Sequence, residues 1–271
     1  MKLSISNIAW NRNELEFYLN LLQKLKCDGV EISPSCIWDE PTEIADTDIE
    51  SIKKLILKYN LEISAFHTLL YNKPNLFLFK NKTSRNKTIS YLKKLIKLAS
   101  KMSVEILVYG SAPSRQIMNK PYKECYNIAV DTFGKLAKEC RLHDICLCIE
   151  PLESAKNDFI QNSDEGYKLV KDVDDPGFKL HLDAGAMSNG KENFNTAFKK
   201  CKTILKHFHV NDPGLSPPGT KNIDHSIIAK SLISSGYNGF ISIEMRRNSR
   251  NNLEIITKAI QYTQEKYLIN S

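Results

Sequence analysis

Apolar residues along the chain recur at two different spacings. Short runs rich in aliphatic and β-branched residues predict strands, and longer runs with apolar residues three and four positions apart predict amphipathic helices. Eight strands are predicted, at 3–9, 29–33, 62–66, 104–109, 145–150, 178–183, 207–210 and 240–245. Helical patterns cover 49–59, 88–99, 125–139, 195–204, 226–235 and 252–267. Asp46 or Thr47, and Asn162 or Ser163, are candidate helix N-caps.

Strands that alternate with helices predict parallel βαβ units, and eight such units without a linker predict a closed barrel. We therefore expect residues 1–271 to form a single (β/α)8 TIM barrel domain, a fold that commonly takes about 250 residues. A doubly wound open sheet is the alternative. It would usually carry a glycine-rich phosphate turn after its first strand, whereas residues 7–11 read NIAWN and contain no glycine.

Four side chains that can bind metal share the inward face of the last four predicted strands. Because side chains alternate along a strand, the aliphatic positions face the helices and the positions between them face the barrel interior. This alternation brings four residues to the carboxyl ends of the strands, where (β/α)8 enzymes have their active sites: Glu150, Asp183, His209 and Glu244. Three carboxylates would repel one another without a cation. Oxygen ligands with one imidazole suit Mn²⁺, Co²⁺ or Mg²⁺ better than the thiolate-rich sites that select zinc or iron–sulfur clusters do.

The motifs around these residues resemble one known family. They read Ile149-Glu150-Pro151, His181-Leu182-Asp183, His209-Val210-Asn211-Asp212 and Ile243-Glu244, with Gly236-Tyr237-Asn238-Gly239 ahead of the last strand. In this order they resemble the xylose-isomerase-like TIM-barrel superfamily, and the resemblance runs along the whole chain. Its members include sugar and sugar-phosphate isomerases, ketose 3-epimerases, hydroxypyruvate isomerase, inosose dehydratase and apurinic-site endonucleases.

The resemblance implies a metal-dependent epimerase or isomerase of carbohydrate metabolism that acts on a small sugar or sugar phosphate. In the epimerase branch, the residues matching Glu150, Asp183, His209 and Glu244 bind one Mn²⁺-like ion. One of the glutamates, Glu150 or Glu244, then removes the proton beside a carbonyl, and the other returns a proton to the metal-held enediolate. An inosose-type dehydratase is the alternative. An apurinic-site endonuclease and a barrel that only binds a ligand are less favoured.

Two positions depart from the better-known ketose 3-epimerases. Those enzymes have a substrate-contacting histidine three residues after the metal-binding aspartate, where this chain has Ala186. They also have an arginine six residues after the metal-binding histidine, where this chain has Leu215. We therefore expect a shared reaction on a different substrate.

Five further side chains are candidate substrate contacts. Arg246 shares the inward alternation of Glu244 and could bind a phosphate or carboxylate with two hydrogen bonds. Glu31 ends the second strand facing inward, whereas His67 reaches the site only if the backbone turns after the third strand. Asp212 follows the seventh strand and Trp10 follows the first, so each could line a pocket at the same face.

The deeper layer of the barrel interior is expected to be structural. His181 and His207 lie two residues before Asp183 and His209, and we expect them to pack or to support the ligands through hydrogen bonds. Cys146 and Cys148 form a C-x-C pair inside an apolar run and are interpreted as small core residues.

Composition adds little to this hypothesis about the site. The net charge is +7, from 38 Lys and Arg against 31 Asp and Glu, without a concentrated basic tract, so a nucleic-acid partner is not expected. No secretory signal or membrane-spanning run of about 18 apolar residues is present, and we expect a cytoplasmic protein with its seven cysteines reduced. The resemblance implies a homodimer or homotetramer.

Overall fold

Eight parallel strands close into one barrel in the computed structural model, which describes residues 1–155 and 157–268. Each strand pairs with its neighbours in chain order, and the last pairs with the first. The strands are β1 (Lys2–Ser6), β2 (Gly29–Ile32), β3 (Glu62–Phe66), β4 (Ile106–Tyr109), β5 (Cys146–Ile149), β6 (Phe178–Asp183), β7 (Leu205–Val210) and β8 (Phe240–Ile243). The prediction of a single (β/α)8 barrel is confirmed.

Helices alternate with these strands and pack against their outward faces. They are α1 (Leu15–Lys24), α2 (Asp46–Lys58), α3 (Lys82–Lys101), α4 (Tyr122–Arg141), α5 (Ser163–Val173), α6 (Ala184–Asn189), α7 (Phe194–Cys201), α8 (His225–Ser234) and α9 (Asn252–Tyr267). Among the described residues, no helix combines the length and the hydropathy needed to cross a membrane.

The helix N-caps agree with the sequence in one of two cases. Asn162 caps α5, because its side chain accepts a hydrogen bond from the backbone N–H of Glu165. At α2, the N-cap is instead Ala45, and Asp46 is the first helical residue. The carboxylate of Asp46 therefore lies in the first turn, where a negative charge interacts favourably with the helix dipole.

The alternation predicted for the strands separates two environments. On the outer face, Phe178 of β6 stacks on Phe133 of α4 with ring centroids 4.8 Å apart. Phe208 of β7 contacts Phe198 of α7 at 5.4 Å. On the inner face, His207 pairs in register with His181 and is fully buried inside the barrel, with the two Nδ1 atoms 3.1 Å apart. The outer face thus forms the apolar core, and the interior carries the polar residues.

The first strand is shorter than predicted. It ends at Ser6 and not at Ala9, because the chain enters a 3-10 turn over Asn7–Ala9. The hydroxyl of Ser6 accepts a hydrogen bond from the N–H of Ile8 at 3.2 Å and so caps this turn. The turn carries the following residue, Trp10, away from the barrel mouth.

A register irregularity between β2 and β3 changes which side chains face inward. Val30 pairs with Ile63, but Ile32 pairs with Phe66, so β3 has one extra residue over the same length. An extra residue of this kind reverses the alternation beyond it. His67, which shares the alternation of Ile63 in the sequence, is therefore turned toward the barrel interior.

Candidate metal centre and active-site cavity

The four predicted ligands converge at the carboxyl ends of the last four strands. Glu150 and Glu244 directly follow β5 and β8, Asp183 ends β6, and His209 lies near the end of β7. One possible ligand atom from each lies within 4.8 Å of the others. All four side chains are buried, the most accessible being Glu150 at 8% exposure. This clustering is what the alternation of the strands predicts.

Asp183 is held by hydrogen bonds to both of its oxygens. Oδ1 accepts the backbone N–H of Ala186 at 2.7 Å, which makes Asp183 the N-cap of α6. Oδ2 accepts the side-chain amide of Asn211 at 2.6 Å. The amide oxygen of Asn211 accepts the N–H of Gly185 at 2.8 Å, so the carboxylate and its partner are fixed together.

His209 connects the cluster to a deeper carboxylate. Its Nε2 lies 3.0 Å from both oxygens of Glu31. Its Nδ1 lies 3.2 Å from Oε2 of Glu244 and 3.8 Å from Oδ2 of Asp183, without a hydrogen bond of suitable geometry. Burial acts to lower the pKa of His209, but the charges of Glu31 and Glu244 outweigh it and raise that pKa well above its usual value.

The carboxylates of the cluster have pKa values shifted in opposite directions. Burial, reinforced by the charge of Glu244, raises the pKa of Glu150 to about 8. Burial and the same neighbouring charge raise the pKa of Asp183 to about 6. For Glu244, burial would raise the pKa, but the contacts with His209 and His67 together outweigh burial and lower that pKa. Like charges that close together disfavour joint ionisation, a conflict that a bound cation relieves.

His67 reaches the cluster because the register irregularity in β3 turns its side chain inward. Its Nδ1 lies 3.2 Å from Oε1 of Glu244, and its Nε2 lies 2.5 Å from the hydroxyl of Ser6. The ring is 1% exposed. His67 therefore lies between the first strand and Glu244, in a position to orient that carboxylate.

A cavity of about 390 Å³ opens directly above the metal cluster. Glu150, Asp183 and Glu244 line its floor together with His67. The cavity is large enough to hold a small molecule, and the volume is at the lower end of that usual for such sites. The carboxylates thus face both the proposed ion and the space that a ligand would fill.

The wall of this cavity is formed by loops that follow other strands. Arg246 lines it with an exposed side chain, and the N–H of Arg246 donates to the carbonyl oxygen of Leu215 at 2.9 Å. Ala186 and Leu215 also line the cavity. The two positions at which the sequence departs from the ketose 3-epimerases are therefore at the cavity wall, where a change of residue alters the space offered to a ligand.

Three of the proposed substrate contacts lie elsewhere in the structure. Glu31 is fully buried beneath His209. Trp10 is 4% exposed and stacks on Tyr18 of α1 with ring centroids 4.8 Å apart, because the turn after β1 directs it outward. Asp212 is fully buried, and its oxygens accept hydrogen bonds from His225 and from the N–H groups of Thr220 and Lys221. None of these three is among the described residues that line the cavity, which corrects where we expected them to lie.

Two residues that the sequence patterns do not indicate shape the position of Glu150. Arg115, in the loop after β4, is fully buried and donates from Nη2 to the carbonyl oxygen of Glu150 at 2.6 Å. Burial lowers the pKa of this guanidinium to about 10. Gly110 lies against the Glu150 carboxylate so closely that a Cβ there would overlap Oε2. Neither position has a periodicity or motif that would have revealed it, because both act through contacts with the residue after the neighbouring strand β5, which is remote along the chain.

The comparisons with known proteins agree with this fold. A sequence model of the family described as Xylose isomerase-like TIM barrel matches residues 19–266. The chain belongs to this family. It is 26% identical over 153 residues to D-psicose 3-epimerase of Ruminiclostridium cellulolyticum, a match that covers 55% of this chain and 52% of that protein. The chain thus aligns with about half the length of that curated relative.

Solved structures with the same fold superpose along nearly the whole chain. D-psicose 3-epimerase with D-tagatose from Clostridium cellulolyticum H10 has a TM-score of 0.85 at 20% identity, covering 98% of this chain and 99% of that one. The 3-keto-D-glucoside 4-epimerase from E. coli has a TM-score of 0.84 at 14% identity, with the same coverage. IOLI protein with a bound zinc atom has a TM-score of 0.79 at 16% identity, covering 99% of this chain and 100% of that one. At these identities, the likeness shows the shared fold.

The donor set itself is suited to a divalent cation. Three carboxylates and one imidazole meet within 4.8 Å. The nitrogen Nδ1 of His209 is buried and lacks a hydrogen-bond partner. A buried polar atom without a partner is costly unless something binds it. An ion among these four residues would supply that partner and would neutralise the carboxylates.

Proposed function

We propose that this chain is a divalent-metal-dependent epimerase or isomerase of a small sugar or sugar phosphate. The observation that carries the proposal is that Glu150 and Glu244 belong to the metal cluster and also line the cavity above it. Membership in the family and the similarity to D-psicose 3-epimerase support the same class of reaction. Mn²⁺ is the ion we propose, because hard oxygen donors predominate in the cluster, with Co²⁺ or Mg²⁺ as alternatives.

The residues of the chain would divide the work of proton transfer. A divalent ion held by the cluster would polarise a substrate carbonyl and acidify the adjacent C–H bond. Glu150 and Glu244 would each face the substrate, one to accept the proton and one to donate it. His67 would hold the Glu244 carboxylate in place through the contact at 3.2 Å.

The cavity wall would set the choice of substrate. Arg246 carries a charge at the mouth and makes no side-chain hydrogen bond or ion pair with the described residues, so it is available to bind a phosphate or carboxylate. Ala186 and Leu215 offer no polar group to a ligand hydroxyl. We therefore propose a substrate that differs from those of the better-known ketose 3-epimerases.

The test is exchange of substrate hydrogen with solvent. The protein is incubated with Mn²⁺ in D₂O against ketoses, aldoses, inososes and their phosphates, and the products are followed by mass spectrometry and proton NMR. We expect chelator-sensitive deuterium incorporation at a carbon beside a carbonyl, without loss of water. Loss of water would identify a dehydratase instead. Absence of exchange with every compound would overturn the proposed reaction.

A further inference from the structure

Glu31 joins the metal cluster from the opposite side of the barrel. It lies in β2 (Gly29–Ile32), is fully buried, and reaches across the interior to Nε2 of His209 in β7, 3.0 Å from each carboxylate oxygen. Its Oε2 also accepts the hydroxyl of Ser242 at 2.7 Å. Ser242 pairs in register with His209 on the neighbouring strand, so Glu31 is held by two adjacent strands at once.

The contact with Glu31 decides which nitrogen of His209 is available. A neutral imidazole has one N–H donor and one lone-pair nitrogen, and the hydrogen bond made by one nitrogen sets the role of the other. Since Nε2 faces an acceptor-only carboxylate, Nε2 carries the hydrogen. In the neutral ring, the form that can bind a cation, the lone pair is then on Nδ1, which faces Glu244 and Asp183 at 3.2 and 3.8 Å.

We propose that Glu31 is a positioning residue for the metal centre, which orients His209 and holds it in the tautomer whose Nδ1 can bind a divalent ion. This inference rests on the proposed metal site. The same arrangement, a carboxylate that accepts the second N–H of a metal-binding histidine, increases metal affinity in other metalloproteins. Glu31 would thus act on the ion through His209, without touching substrate.

A direct role of Glu31 as a ligand is the competing interpretation. Glu31, His67 and His209 also have possible ligand atoms close enough to hold an ion. An ion at that place would need Nε2 of His209 and would have to replace the hydrogen bonds at 3.0 Å. It would also leave Nδ1 buried without a partner. The geometry therefore favours one ion, on the Nδ1 side.

The main experiment measures Mn²⁺ affinity of the full chain by isothermal titration calorimetry after chelator treatment. Glu31→Gln preserves shape, but it replaces the carboxylate with an amide that can donate to Nε2 and favour the wrong tautomer. We expect about one bound ion per chain in the unaltered protein and an affinity about 10- to 100-fold weaker in the variant. Ser242→Ala, which removes a partner of Glu31 and no partner of His209, should weaken the affinity less.

The matched control is another buried carboxylate–imidazole pair. His225 bonds Asp212 through Nε2 and the hydroxyl of Tyr267 through Nδ1, each at 2.8 Å. His225 is fully buried, so His225→Gln also disrupts an interior pair. It should leave Mn²⁺ affinity unchanged, which separates loss of positioning from a general loss of packing.

A second measurement does not depend on how the variant folds. Nitrogen-15 NMR of the histidine side chains in the unaltered protein reports the tautomer of His209 directly. We expect hydrogen on Nε2 and coordination through Nδ1 after Mg²⁺, a diamagnetic stand-in, is added.

Three results would overturn the inference. Equal Mn²⁺ affinity in Glu31→Gln and the unaltered protein would remove the positioning role. Coordination of His209 through Nε2, or loss of a second ion in the variant, would make Glu31 a ligand instead. Failure of the unaltered protein to bind any divalent ion would reject the metal site itself and this inference with it. Because the readout is affinity, failure of the proposed sugar reaction alone would leave the Glu31 result intact.

Discussion

Two buried carboxylate–imidazole pairs in the protein differ at a single ring nitrogen. In the barrel interior, Glu31 accepts from Nε2 of His209, and Nδ1 of His209 has no hydrogen-bond partner. Between the β7 loop and α9, Asp212 bonds Nε2 of His225, and the hydroxyl of Tyr267 satisfies Nδ1 at 2.8 Å. Both pairs are at most 1% exposed.

This difference distinguishes a pair that can take part in metal binding, Glu31 and His209, from a structural pair, Asp212 and His225. A buried nitrogen without a hydrogen-bond partner lowers the stability of the folded state. Such a nitrogen is retained where a bound ligand offsets this loss. Around His209, the free nitrogen faces Asp183 and Glu244, beneath an open cavity. Around His225, every polar atom of the ring is used to join α8 and α9 to the β7 loop. Burial and charge pairing alone therefore do not distinguish the two pairs; the difference is an unsatisfied ring nitrogen that faces two carboxylates beneath a cavity.

The largest expected effect follows from removing an acid that faces the free nitrogen. Glu244→Gln keeps the shape of the side chain but removes a ligand and one of the two proton carriers. We expect turnover to fall by at least about 10³-fold, since general acid–base catalysis alone contributes about 10² to 10⁴. Steady-state kinetics on the substrate found by exchange would measure the loss, and Glu150→Gln should behave alike.

A matched control for this change is Glu192→Gln. The carboxylate of Glu192 is partly buried and accepts the N–H of Ser163 at 2.9 Å, away from the cavity. Activity should be retained in that variant. Full activity in Glu244→Gln or Glu150→Gln would show that the two-glutamate mechanism is wrong.

Gly110→Ala tests how closely the Glu150 carboxylate must be held. The new Cβ would overlap Oε2 of Glu150, so the carboxylate must move. Because small displacements of catalytic groups are costly, we expect kcat/KM to fall by about 10²-fold, with little loss of melting temperature. Gly134→Ala in α4 is the control, since a Cβ there meets nothing within 4 Å. Equal kinetics in the two variants would argue against a close fit at Glu150.

The free energy of unfolding of the metal-free protein should depend on pH through the buried carboxyl of Glu150. The pKa of Glu150 is raised from 4.5 to about 8, so the folded state holds a proton that the unfolded state releases. Its contribution is complete below about pH 4.5 and declines as the pH rises toward about 8. Relative to Glu150→Gln, the metal-free protein should therefore lose stability over this interval.

Urea unfolding of both proteins at several pH values would measure this difference. Subtracting the free energy of unfolding of Glu150→Gln removes the contributions of the other titrating groups. Binding of Mn²⁺ needs deprotonated ligands, so the ion should remove the decline and release protons as it binds. A stability difference that is flat between about pH 5 and about pH 8 would contradict the raised pKa of Glu150.

The smallest effect on the site is expected from Tyr267→Phe. This change leaves Nδ1 of His225 without a partner, as in His209, but no pair of carboxylates faces it. An unsatisfied buried group costs about 1–3 kcal/mol in the free energy of unfolding. Chemical denaturation should show this loss, and titration calorimetry should show unchanged Mn²⁺ affinity. A new or altered metal affinity would mean that an unpaired buried nitrogen suffices for binding.

Much of the fold and the clustering of the four candidate ligands were predictable from local patterns. The barrel follows from eight repeats of strand and helix, and the alternation within β5 to β8 places Glu150, Asp183, His209 and Glu244 together. Two placements depend on local irregularities. His67 reaches the cavity because of the extra residue in β3, and Trp10 lies away from it because of the turn that ends β1 at Ser6. Neither feature has a signal in the spacing of apolar residues.

The order and alternation of the residues are enough to predict the barrel and the four candidate ligands at the carboxyl ends of its strands. Parallel strands end together, and side chains alternate along each strand with a fixed period. The roles of Glu31 and Asp212 depend on which groups meet across the folded chain. Glu31 and His209 are separated by 178 residues and are joined only when the barrel closes. Asp212 is next to a ligand motif in sequence, yet its oxygens bind a loop and His225. Hydrogen-bond partners are short-range in space, and a closed barrel brings together segments that are remote along the chain.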